Sequence, residues 1–145
     1  MEAENKNAHL KLLMRLHVTL APTVVVGQTS KGLLKIFPIT GGTAIGPEIQ
    51  AEICPGGADW NTLHPDGRNH VYARYWLRTA DGEYISVENE GVIDWNRKDS
   101  PYITAPRFTC NASGPYAALN DGIYIGELHP GQDHSVEIVF WKVVG

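Results

Sequence analysis

Val71-Tyr72-Ala73-Arg74-Tyr75-Trp76-Leu77-Arg78-Thr79, Ala80-Asp81-Gly82-Glu83 and Tyr84-Ile85-Ser86-Val87-Glu88-Asn89 form the stretch that decides the fold. Two runs rich in aromatic and β-branched residues flank an Asp-Gly pair. Glycine supplies the left-handed backbone of a tight reversal, so the pattern predicts a β-hairpin. The first run carries bulky groups on both faces. Val71, Ala73, Tyr75, Leu77 and Thr79 occupy one phase, and His70, Tyr72, Arg74, Trp76 and Arg78 the other. A strand with one solvated face alternates more cleanly. The mixed aromatic and guanidinium phase fits three arrangements: a ligand-lined lumen, a subunit interface, or Arg side chains lying over exposed rings.

Outward from the hairpin, the same period-two alternation recurs. Upstream, Leu10 to Leu20 reads as a long strand with one apolar face, followed by Leu33 to Ile39 and Ile45 to Ile53, separated by Thr40-Gly41-Gly42. Downstream, strands are predicted over Ile103 to Cys110, Tyr116 to Leu119, Ile123 to Leu128 and Ser135 to Val144. Asp94 to Ser100 is the most polar stretch and reads as a surface loop. No window holds a helical period over three turns. About eight or nine short strands with frequent Gly and Pro turns imply an all-β sandwich or barrel. A closed barrel removes the exposed edges, and one of about eight strands holds a small ligand or fills with side chains.

The 145 residues fit one domain, 1–145, with about the first eight residues expected to be loosely held. A formal charge of -4 gives no electrostatic footprint for nucleic acid or an anionic membrane, so neither is expected as a partner. Two cysteines, Cys54 and Cys110, make neither a disulfide framework nor a zinc site and suit a reducing compartment. Together with a polar first segment, this predicts a cytoplasmic protein. The six histidines lack the paired spacing of metal ligands, so no metal and no cofactor are expected. No nucleophile elbow or phosphate-cradling glycine loop occurs.

The connection Cys54 to Gly67 is the richest in chemistry. It combines Gly56 and Gly57 with Asp59, Trp60, His64 and Asp66. A carboxylate fixed behind paired glycines and beside an indole has restricted access to water, which can move its pKa into a useful range. The plainer reading is a long loop built on an Asx-type turn.

Several motifs together point to a family. Pro38-Ile39-Thr40-Gly41-Gly42 with Gly46-Pro47, Pro55-Gly56-Gly57-Ala58-Asp59-Trp60, Asp66-Gly67, Ala73-Arg74-Tyr75, Leu77-Arg78-Thr79 with Asp81-Gly82, and Leu119-Asn120 resemble the domain-of-unknown-function family 3237. The resemblance runs from about Leu16 to the end of the chain. It implies a closed antiparallel β-barrel, lipocalin-like or allene-oxide-cyclase-like, without an established activity. It singles out Asp59, Trp60, Asp66, Arg74, Tyr75 and Asn120. Tyr72, Trp76 and Ala117-Ala118 depart from the pattern, where smaller polar groups and a bulky aromatic are expected, and so imply a reshaped pocket or surface.

Three functions remain open on these residues. The first is a cofactor-free isomerase, cyclase or lyase acting beside a carbonyl of a small aromatic or polyketide-like compound. Asp59 or Asp66 would move a proton, Arg74 and Asn120 would hold an oxyanion, and Trp60, Tyr116 and Tyr124 would form the apolar wall, with His64, Asp66 and Tyr75 in contact with substrate. The second is a carrier barrel for the same kind of molecule. The third is a structural barrel whose Tyr72/Arg74/Trp76 face builds an oligomer. That face, if it points outward, predicts a homodimer or larger homo-oligomer. Light scattering at micromolar concentration reads it directly, and a monomer mass would refute it.

Overall fold

The computed structural model describes residues 3–98 and 101–145. Met1 and Glu2, from the segment expected to be loosely held, and Asp99 and Ser100, from the expected surface loop, lie outside the described residues. The strands are β1 (His9–Leu20), β2 (Val24–Thr29), β3 (Gly32–Ile45), β4 (Gln50–Ile53), β5 (Ala58–Leu63), β6 (Arg68–Thr79), β7 (Tyr84–Asp94), β8 (Tyr102–Cys110), β9 (Tyr124–Pro130) and β10 (Ser135–Val144), with a 3-10 turn at Ala117–Asn120. All pairings are antiparallel.

The sheet closes because β1 is paired on both edges, with β10 from His9 to Thr19 and with β3 from Arg15 to Leu20. β4 and β5 follow one another in the space between β3 and β6, each covering part of their length. β2 likewise continues the line of β1 along β3. The result is a closed eight-strand antiparallel barrel with two extra strands. The predicted all-β closed barrel is the observed fold.

Several strand assignments change: β2 is a strand where none was expected, β7 runs on to Asp94, and three further changes have physical reasons. β3 runs unbroken through Thr40-Gly41-Gly42, where a turn was expected, because Gly42 (φ 136°) brings the backbone against β1. A Cβ there would lie 1.9 Å from the His17 carbonyl oxygen. The reversal falls instead at Gly46, whose N–H donates to Ile49 O (2.8 Å). β5 was hidden inside the Cys54–Gly67 connection. Its polar residues Asp59 and Asn61 line the lumen while the indole of Trp60 faces out, so its hydrophobic phase is inverted. Tyr116 to Leu119 is a turn rather than a strand, closed by Leu119 N–H donating to Tyr116 O (2.9 Å).

The barrel is filled at one end and hollow at the other. Met14, Leu77, Ile85 and Phe140 are fully buried in the filled end, and Leu119 of the 3-10 turn packs among them. Phe108 meets both Tyr124 (4.9 Å, 87°) and Phe140 (5.4 Å, 75°) edge-on, a favoured arrangement for aromatic rings. Cys54 and Cys110 are both free thiols.

The phase of β6 is now fixed: Val71, Ala73, Tyr75 and Leu77 face inward, and Tyr72, Arg74 and Trp76 face outward. This excludes the lumen among the three readings of the mixed face. Arg74 Nε stands 4.0 Å from Glu88 Oε1, and Arg107 Nη2 stands 3.3 Å from Glu88 Oε2, both on the outer wall.

Gly57, immediately before β5, sets how closely that strand approaches Tyr75. A Cβ at Gly57 would come within 2.5 Å of both the Arg74 carbonyl oxygen and the Tyr75 Cβ. Gly57→Ala is therefore expected to destabilise the protein by about 1–3 kcal/mol, the usual cost of overpacking. Urea denaturation measures it, and an unchanged midpoint would contradict the packing described.

Candidate functional site

The hollow half of the barrel encloses a cavity of about 170 Å³ with an almost entirely apolar wall. Val18, Ile39, Val71 and Ile138 supply much of that wall. The polar groups come from β5, β6, β7 and β8. Cross-strand register places Phe37, Asp59, Ala73 and Asn89 in one row, so Asp59 and Asn89 flank a methyl group. Their strands are two apart, about 10 Å at the backbone, and the small Ala73 leaves the space between them open. Tyr75 lies one inward position further along β6, and Thr104 of β8 also lines the cavity.

Asp59 is the only ionisable carboxylate on this wall, and no Lys, Arg or His lines it among the described residues. Its carboxyl pKa is raised from 3.8 to about 6, first by burial. The N–H of Tyr72, donating to Asp59 Oδ1 (3.1 Å), and the electrostatic influence of nearby His70 oppose that shift without cancelling it. The Tyr75 phenol is pushed up from its ordinary value by burial, then by the Asp59 charge, so it remains a proton donor. Tyr75 Oη, Asn89 Oδ1 and Thr104 Oγ1 are buried and have no hydrogen-bond partner among the described residues. Buried polar atoms are nearly always paired, so such a cluster marks a place built to meet a polar group from elsewhere.

The convergence expected of Asp59, Arg74 and Asn120 does not occur. Asp59 and Tyr75 reach the lumen. Arg74 is on the outer wall because it is one residue out of phase with Tyr75, and Trp60 is outside for the same reason relative to Asp59. His64 and Asp66 sit in the β5–β6 reversal, where Asp66 Oδ1 accepts from Arg68 N–H (3.0 Å). Asn120 clasps the end of β8. Its Oδ1 accepts from Cys110 N–H (2.9 Å), and its Nδ2 donates to Cys110 O (3.2 Å) and Ala117 O (3.0 Å). Tyr116 donates to Asp81 Oδ1 (2.9 Å) and ties the 3-10 turn to the β6–β7 hairpin. Tyr124 belongs to the filled end. Asn120, Tyr116 and Tyr124 thus lie at the closed end, away from the lumen that holds Asp59.

Sequence reading missed Asn61, Asn89, Thr104, Phe37 and Trp95 as lining residues. A signal existed for Asn89, which follows Ile85 and Val87 in the same inward phase, where an apolar residue is the default. Trp95 stood in what read as a polar surface loop. It lies just beyond β7 and packs edge-on against Tyr102 (4.6 Å, 64°) at the open end. Among the described residues, no three His, Cys, Asp or Glu side chains gather as a metal-holding set.

The raised pKa of Asp59 has a definite sign in stability. The native state holds this proton more tightly than the unfolded chain. Its contribution is therefore complete below about pH 4 and is lost as pH rises through about 6. That difference corresponds to about 2–3 kcal/mol. Asp59→Asn keeps the shape and the acceptor for Tyr72 N–H, so it should match the parent at pH 4 and be more stable by about that amount at pH 7.5. Urea titrations at the two pH values test this; equal stability at pH 7.5 would show that Asp59 is not desolvated.

Comparisons agree with this architecture. A UPF0311 protein of Bradyrhizobium diazoefficiens is 33% identical over 82 residues, covering 57% of this chain and 53% of its own length. A UPF0311 protein of Clostridium acetobutylicum is 30% identical over 88 residues, covering 60% of this chain and 56% of its own. The matched chain thus spans about half the length of these curated relatives. A crystal structure of a β-barrel-like protein from Acinetobacter baumannii superposes with a TM-score of 0.85 at 26% identity, covering 99% of this chain and 100% of the other. A protein described as an enzyme from Penicillium herquei superposes with a TM-score of 0.79 at 23% identity over 99% of this chain and 100% of the other, which shows a shared fold. The family model for the protein of unknown function DUF3237 matches residues 8–143, and with the barrel now in hand the chain belongs to that family.

Proposed function

We propose that the lumen is an acid–base catalytic site for a small, uncharged, largely apolar carbonyl compound, with Asp59 as the group that moves the proton. The observation that carries this reading is a lone desolvated carboxylate, with a pKa of about 6, sharing an apolar cavity with buried, unpartnered neutral hydrogen-bonding groups. A general base works best when its pKa lies near the operating pH. An Asp base with a Tyr donor in an apolar site is also the division of labour used by ketosteroid isomerase, a chemical analogy only.

The step common to isomerisation, cyclisation and elimination is enolisation. Asp59 Oδ takes the proton from the carbon beside the carbonyl, the C–H electron pair becomes the new C=C bond, and the carbonyl π pair moves onto oxygen. The developing oxyanion receives a hydrogen bond from Tyr75 Oη, whose raised pKa keeps its proton in place. The carboxamide of Asn89 and the hydroxyl of Thr104 offer further polar contacts. Asp59 then returns the proton to carbon. Without a cation among the described lining residues, anionic substrates are disfavoured and uncharged ones enter at low desolvation cost.

Size supports a compact reacting group. Apolar protein cavities of about 150 Å³ accommodate a benzene ring. A same-fold neighbour being described as an enzyme is consistent with chemistry in such a barrel.

Exchange of α-hydrogens for deuterium in D₂O tests the proposal without knowledge of the natural substrate. With 4-methylacetophenone and small cyclic ketones as probes, the protein should accelerate exchange with a rate that rises through about pH 6. Asp59→Asn should lower that rate by about 10²-fold or more, and Tyr75→Phe should lower it with a smaller change in KM than in kcat. Probes that bind in the lumen yet exchange no faster than in buffer would refute catalysis and favour a carrier.

A further inference from the structure

The hollow end of the barrel does not stop at the catalytic row. Leu20, Phe37, Trp95, Leu128 and Val136 line the lumen and also line a second hollow of about 240 Å³ immediately outside it. These five apolar side chains form a ring between the two spaces. Trp95 is held in the ring by its edge contact with Tyr102. The outer hollow is bordered by Ala21 and Thr23 after β1, by Pro130 at the end of β9, and by Gly131 and His134 of the β9–β10 reversal.

That reversal is a built wall. Asp133 (φ 45°) and His134 (φ 58°) both adopt the left-handed region, which non-glycine residues occupy in only a few per cent of cases. Local bonds hold them there. The His134 carbonyl accepts from Leu20 N–H (2.8 Å), Gly131 N–H donates to Ser135 O (3.1 Å), and Ser135 Oγ donates to Gln132 O (2.5 Å). The loop is thereby pinned over the end of β1, beside the ring residue Leu20.

The geometry points to a second subsite: the outer hollow receives an apolar tail of the same substrate whose carbonyl end reaches Asp59. This rests on the lumen being the substrate site and deepens that reading. Polarity is ordered along the axis, with unpartnered polar atoms deep, an apolar ring in the middle, and a mixed rim of Thr23, His134 and Ser135 outside. A ligand matching that order is elongated, with a carbonyl head, a flat or narrow waist and a hydrocarbon tail whose end reaches water. Trp95 and Phe37 at the waist act as the width filter, so the substrate class is an alkyl- or alkenyl-substituted cyclic or aryl ketone.

A 4-alkylacetophenone series from methyl to hexyl tests the subsite, because the tail leaves the ring opposite the acetyl head. Binding is measured by calorimetry on Asp59→Asn, which keeps the cavity shape and removes turnover. Kd should fall by about three- to fourfold per added methylene until the outer hollow is filled, then level off. Thr23→Trp, which fills the outer hollow from its wall, should abolish the gain in affinity of 4-butylacetophenone over 4-methylacetophenone. A Kd independent of tail length overturns the subsite, as does a Thr23→Trp variant that weakens short and long probes equally. Deuterium exchange by the unmodified protein separates the two readings. Exchange with no length dependence sinks the subsite alone; a steep length dependence without exchange sinks catalysis and leaves the outer hollow as part of a binding site.

Discussion

β1 is hydrogen-bonded along both edges, to β10 on one side and to β3 on the other, and this double pairing turns a meander of hairpins into a tube. Strand closure removes the free edges of the ring and creates an inside. The seam is narrow. Gly42 packs its backbone against the His17 carbonyl with no room for a side chain. Every later property, from the buried carboxylate to the apolar ring at the mouth, exists because inward positions of eight staves now face one another across a lumen.

The tube is stabilised unevenly. The filled end carries large apolar side chains at full burial, with interlocking aromatic edges and the Asn120 clasp that ends β8. The hollow end gives up packing and keeps polar atoms without partners. Asp59 in that environment works against stability above about pH 6, since burial disfavours its charged form. A rigid floor with a costly site above it is the arrangement expected where stability and function compete.

Fold alone carries no reaction. The relatives fix the architecture, and their matched portions are too distant to carry an activity across. What bears on chemistry here is local: which side chains point inward, which of them are charged, and where the apolar wall opens. The absence of any cation among the described lining residues shifts the electrostatic part of the site from a guanidinium to neutral donors. That in turn favours uncharged carbonyl compounds over anionic ones.

Much of the barrel was legible in the chain because period-two alternation and Asp-Gly or Gly-Pro reversals are local properties. The hairpin around Asp81-Gly82, the long first strand and the last strand all stand as their residues predict. The family motifs led to Asp59 and Tyr75, both in the lumen. β5 was not legible, since its polar residues face inward and its Trp outward, the reverse of the rule by which strands are recognised. Nor was the fate of Arg74 and Asn120. Sequence placed Arg74 beside Tyr75, but neighbours in a strand point to opposite sides of the sheet, and only closure decided which side was the lumen. Asn120 has the right chemistry for an oxyanion, yet the backbone groups of Cys110 and Ala117 claim it once β8 and the 3-10 turn meet. Local patterning determined the strands; which face became the inside was a long-range consequence of β1 meeting β3, and no single segment of the chain encodes it.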